Sequence, residues 1–120
     1  MVTLATRRAA LDAAIVAAGV PVPDSWGQQQ PPFAIIFGEA SDLVPRGGSV
    51  AWHFRVTGVL AKATDQLAGP AMDSLSWALV NAGWSLAGFT VDGIGPVSVR
   101  DLMGAMHYTV DVSLTTTVDF

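Results

Sequence analysis

The chain turns on Ser49-Val50-Ala51-Trp52-His53-Phe54-Arg55-Val56-Thr57-Gly58-Val59-Leu60. Val50, Trp52, Phe54, Val56 and Leu60 fall on one side of an extended ribbon. Ser49, His53, Arg55 and Thr57 fall on the other, and only Ala51, Gly58 and Val59 blur the alternation. Side chains of a strand alternate faces with period two, so the spacing predicts a half-buried strand with a broad apolar face. A second stretch repeats the pattern. Met106, Tyr108, Val110, Val112, Leu114 and Val118 interleave with His107, Thr109, Asp111, Ser113, Thr115 and Thr117. Twelve or thirteen residues at about 3.3 Å each span roughly 40 Å, twice an ordinary strand. Two such strands frame a sheet.

Outward from this frame, Thr3 to Ala18 predicts a helix. Leu4, Leu11, Ala14, Ile15 and Ala18 recur at helical spacing, Thr3 or Thr6 is a candidate cap, and Gly19 suits the residue past the end. Arg7, Arg8 and Asp12 fall on its polar side. Residues 20–32 read as a loop: Pro21, Pro23, Pro31 and Pro32 each lack a backbone donor. Trp26 within it belongs in a pocket, either of its own core or of a neighbouring subunit. Phe33 to Phe37 is a short continuous apolar run, as expected of a strand covered on both faces. Gly38 to Gly48, with the turn Pro45-Arg46-Gly47, is a second loop.

Asp65 to Ala82 predicts a second helix with a stripe of Leu67, Ala71, Met72, Leu75, Ala78, Leu79 and Ala82. Pro70 implies a kink or a start near Gly69, and Gly83 an end. Trp77 and Val80 lie off the stripe, which for Trp77 marks a subunit contact or burial beneath a loop. Phe89 to Asp92 and Val97 to Arg100 read as two short strands around a hairpin loop from Asp92 to Pro96. Residues 100–105 then turn the chain into the last strand. The expectation is one α+β domain over 1–120, in the order α-β-β-α-β-β-β, with two helices on one face of a mostly antiparallel sheet.

Length allows a single core. Charged residues are 13% of the chain and apolar ones 51%, against about 25% charged in an average domain. A surface so short of charge fits one that lies partly against another subunit, or a monomer with a Ser/Thr/Gly-rich surface. The formal charge of −4 opposes long-range attraction to phosphate. With no cysteine there is no disulfide, thiolate metal site or thiol nucleophile. The longest charge-free run, between Asp73 and Asp92, is broken by serines, glycines and an asparagine, so no spanning helix is expected.

Motifs for chemistry are missing. His53 and His107 sit on the polar faces of the two long strands. In a suitable register they would meet near Asp111, but no third metal ligand accompanies them. Gly93-Ile94-Gly95 lacks the third glycine and the following helix of a phosphate cradle. No nucleophile elbow occurs, no carboxylate pair stands in an apolar setting, and basic residues do not cluster with aromatics. No catalytic residue, cofactor or metal is expected. An assembly role fits, and the runner-up is a small α+β ligand-binding module or enzyme using the two histidines.

The layout resembles the tail terminator (tail completion) proteins of long-tailed bacteriophages. The resemblance rests on the alanine-rich first helix, Pro31-Pro32-Phe33-Ala34-Ile35-Ile36-Phe37-Gly38, the long strand ending Val56-Thr57-Gly58-Val59, the helix with Met72-Asp73-Ser74-Leu75, and the closing Tyr108-Thr109-Val110-Asp111-Val112. It spans nearly the whole chain and is one of pattern and length. Pro70 departs from it. It implies a virion structural protein made in the host cytoplasm and placed in the tail or neck. Such a protein is a homo-oligomeric ring, usually a hexamer, that caps the tail tube and joins it to the head. Its partners are further copies, the tail tube protein and a head-completion or neck protein. DNA passes through without sequence-specific binding, and no membrane is involved. Another neck protein, a head-completion protein or tail adaptor, is an alternative within the same class. Candidate interface residues are Trp26, Phe33, Arg46, Trp77 and Trp84; Asp101 and Asp111 are candidates for the lumen.

Overall fold

A computed structural model describes residues 2–23, 32–39, 48–61, 65–102 and 105–119. Its elements run α1 (Leu4–Ala17), β1 (Phe33–Glu39), β2 (Ser49–Ala61), α2 (Asp65–Trp84), β3 (Phe89–Ile94), β4 (Ser98–Leu102) and β5 (Ala105–Asp119). The fold is α+β. The antiparallel sheet has the order β1-β2-β5-β3, with β4 also against β5. Two strands of 13 and 15 residues form its spine, paired from Ser49↔Asp119 to Ala61↔His107.

Period-two patterning sets the faces of the spine. Phe54 and Val56 of β2, with Val110, Val112 and Leu114 of β5, are buried in one cluster. Against them pack Leu11 and Ile15 of α1, and Met72, Leu75, Leu79 and Val80 of α2. Both helices therefore lie on one face. Gly58 sits on that face under α2, where an added Cβ would come within 2.9 Å of Leu79 Cδ1. The missing side chain lets helix and sheet close up. Phe33 and Val59, cross-strand partners on the opposite face, are buried too. Ala34 and Ile36 are buried on the helix side. On the other face only Phe33 is fully buried while Ile35 and Phe37 are half-buried, so β1 is covered on both faces at its Phe33 end alone.

Helix α1 begins as its sequence implies. Thr3 Oγ1 accepts from the Thr6 amide at 3.2 Å, and Gly19 adopts φ +93° past the end. Its arginines depart from expectation. Arg7 lies 5.7 Å over the Phe89 ring, and Arg8 lies 5.6 Å over Phe54. Arg7 Nε also donates to the Thr117 carbonyl at 3.2 Å. Guanidiniums are weakly hydrated and planar, so they lie on aromatic faces instead of standing in water.

The start of α2 at Asp65 is as expected, and its end differs from the sequence reading. Helix α2 runs through Pro70 and ends at Trp84, not Ala82. Gly83 is inside it: a Cβ there would sit 2.7 Å from Leu114 Cδ2 and 2.8 Å from Val91 Cγ2. That glycine serves close packing, and the turn follows later, at Gly88 with φ +84°.

The larger correction concerns β3 and β4. They do not form a hairpin. Both pair antiparallel with β5, β3 along residues 112–116 and β4 along 105–109. They therefore run in one direction, end to end, along a single border. Residues 95–97 bridge a break, not a reversal, and the Gly95 amide keeps a bond to the Asp111 carbonyl at 2.7 Å. Asp92 is the extra residue where the register shifts between Val91 and Gly93. A bulge resembles a turn in sequence because both take Asp-Gly.

Candidate functional site

Helix α2 and strand β3 leave a groove between them of about 430 Å³. Its lining includes Asp73, Trp77, Val80, Trp84, Val91 and Ile94. Trp77 and Trp84 are seven positions apart, two helical turns, so they share one stripe. Their rings meet edge to face, centroids 5.7 Å apart and planes at 88°. Each remains about 60% exposed, Trp77 at 60% and Trp84 at 61%. Besides Ile94 in the groove, Val97 and Val99 along the β3–β4 border and Met106 of β5 are also exposed. Exposed apolar side chains gathered around one groove mark a candidate interaction site. Among the described residues, no further strand pairs with the outer rim of β3 or β4.

The expected site residues distribute unevenly over this picture. Trp77 and Trp84 are brought together on the surface. Phe33 is not a surface residue at all: it is 0% exposed. Its side chain is enclosed within its own subunit, opposite Val59 in the neighbouring strand. Trp26 and Arg46 lie outside the described residues.

Asp101 and Asp111 occupy opposite faces of the sheet. Asp101 pairs with Met106, on the helix side, whereas Asp111 pairs with Thr57 on the other. Asp111 accepts from Thr57 Oγ1 at 2.6 Å and from Arg100 Nη2 at 2.9 Å. Burial alone would raise its pKa. The Thr57 hydroxyl, the Arg100 guanidinium and the Arg55 charge outweigh that and hold the carboxyl below its ordinary 3.8.

The histidine pair does not form. Although β2 and β5 are neighbours, His53 is opposite Thr115 and His107 is opposite Ala61. Eight positions of β5 separate them, roughly 27 Å along the strand. His53 instead joins a chain with Thr115 and Asp92. Thr115 Oγ1 donates to Asp92 Oδ2 and lies 3.0 Å from His53 Nδ1. With its proton given to the carboxylate, the hydroxyl accepts from an Nδ1–H tautomer. Among the described residues no group of three His, Cys, Asp or Glu is placed to hold a metal ion.

A small cleft of about 210 Å³ on the other sheet face is lined by Ile35, Phe37, Arg55, Thr57, Val59, Arg100 and Thr109. Its arginines are engaged: Arg55 stacks 4.8 Å over the Phe37 ring, and Arg100 holds Asp111. No described helix is long and apolar enough to cross a membrane. No protein-family model matches the chain, and no curated protein matches it.

The rim residues Ile94, Val97 and Val99 escaped the sequence reading because Asp92 to Pro96 looked like a turn. A signal was available: Val97 and Val99 keep the two-residue apolar spacing of a strand that faces something dry.

Proposed function

We propose that the chain is a virion structural protein of the tail terminator kind. In this role it is a ring-forming subunit that caps a tail tube, ends its polymerisation and provides the joint to the head while DNA passes. The observation that carries this is the pair Trp77 and Trp84, held on the surface beside a strand border that no other described strand covers. A subunit whose core is already closed has no internal use for two exposed indoles. Aromatic residues near the centre of an interface supply much of its binding energy. An open strand border invites pairing unless it is blunted or covered, and covering it with copies of the same chain is one solution. The low charge content points the same way. The other neck proteins, head-completion protein and tail adaptor, share this physics and differ only in what they dock. The enzyme alternative has lost its two-histidine site to the register of β2 and β5.

Light scattering and negative-stain microscopy of the purified chain at micromolar concentration test the proposal, followed by its addition to polymerising tail tube protein from the same genome. A ring that shortens the tubes is the expected result. A monomer at high concentration that leaves tube length unchanged overturns it.

A further inference from the structure

We infer that the Trp77–Trp84 groove is filled by a second copy of this chain, seated head to tail, with the neighbour's Arg8 brought to Asp73. The inference rests on the assembly reading above and adds which two surfaces meet.

Three observations carry it. The first is charge. Among the described residues, Asp73 is the ionised member of the groove lining. Asp101 is exposed on the adjacent β4, on the same face of the sheet. A two-fold contact, groove against groove, would place these carboxylates against one another, which costs energy as the contact desolvates them. A complementary partner presents a cation. The opposite border of the same sheet does so: Arg8 Nη1 donates to the Ile36 carbonyl of β1 at 2.9 Å. A guanidinium has five donors, so that bond leaves capacity for a carboxylate.

The second is level. Register carries Ile36 across the sheet to Val56, then Val112, then Ile94. Ile94 lines the groove. A neighbour related by rotation about an axis along the strands, without rise, therefore holds its Arg8 at the height of the groove.

The third is direction. β1 is antiparallel to β2, β2 to β5, and β5 to β3. The two borders of the sheet thus run oppositely, and a rotated copy meets the β3 border antiparallel with its helices on the same side. Such a heterologous contact repeats and closes into a ring when the rotation permits. The contact is made chiefly by side chains, because β1 already gives its Ala34 amide to the Pro21 carbonyl at 2.9 Å and its Ile36 carbonyl to Arg8.

A charge-swap experiment tests this. Asp73→Arg and Arg8→Glu are each made in the full chain, with Arg8→Gln as a milder variant because Arg8 also packs on Phe54. Circular dichroism checks that each folds, and sedimentation reads assembly. Each folded variant alone should assemble at least tenfold more weakly than the unaltered chain. Mixing Asp73→Arg with Arg8→Glu should restore assembly with the two chains in equal amounts, since each junction then joins opposite charges. Unimpaired assembly of Asp73→Arg overturns the inference. So does a mixture of the two folded variants that stays dissociated. If the unaltered chain never assembles, the assembly reading itself has failed, a result visible before any variant is made.

Discussion

Asp111 shows how a residue chosen for its charge acquires a structural task. Its carboxylate ties Thr57 of β2 to Arg100 of β4 across β5. Folding lowers its pKa. The stability it contributes is therefore complete above the unfolded value, about pH 4, and is lost as pH falls through the lower folded value. Asp111→Asn should cost about 1 kcal/mol at pH 7, a figure discounted because the Arg100 side chain is 44% exposed. Urea melts of the two proteins should converge by about pH 2. Two glycines of α2 make a second, contrasting case. At Gly69 an added Cβ meets nothing within 4 Å beyond its chain neighbours. Pro70 follows in the helix, however, and its Cδ crowds the Cβ of a helical residue before it. The helix-propensity gain of Gly69→Ala should therefore be offset, leaving the thermal midpoint nearly unchanged. At Gly83 the same change drives a methyl into Leu114 and Val91. Overpacking of about 1–3 kcal/mol exceeds the propensity gain there, and the thermal midpoint should fall.

At the scale of elements, α2 serves two masters. One stripe, Met72, Leu75, Leu79 and Ala82, is buried against the sheet. Another, Trp77 and Trp84, faces away from that core. The two stripes should separate experimentally. Replacing Trp77 and Trp84 together by serine should cost the subunit no more than about 1 kcal/mol, the value of one aromatic pair. The same double change should weaken assembly by a factor of about 30 or more, as expected when an aromatic anchor is removed. Calorimetry of the dilute chain and sedimentation of the concentrated one read the two effects apart. Strands β3 and β4 give the complementary lesson. Their sequence resembles a hairpin, yet β5 is long enough to pair with both, so the chain runs straight past the break.

For the whole molecule, the dimensions of 50 × 25 × 24 Å follow from the two long strands. An elongated slab has much border for its core, and its β3–β4 border is the apolar one. If copies cover that border, the folded state is linked to concentration by mass action. The thermal midpoint should then rise by a few degrees, roughly, for each tenfold increase in protein. A midpoint independent of concentration would mark a subunit that stands alone.

Alternation by itself determined that β2 and β5 are long strands with one greasy face, because period two leaves a half-buried segment no other way to sort its side chains. Helical spacing likewise determined α1 and α2, and with them the α+β class. Tertiary structure alone decided everything that depends on register. Which residue lies opposite which is not written in either strand. The pairing of His53 with Thr115 dissolved the histidine site, and the pairing of Ile94 with Val112 opened the groove. Phe33 and Trp77 were equally apolar as letters. One is enclosed by its own chain and the other left bare, because burial is a property of what surrounds a residue, and that is set only once the sheet has closed over its helices.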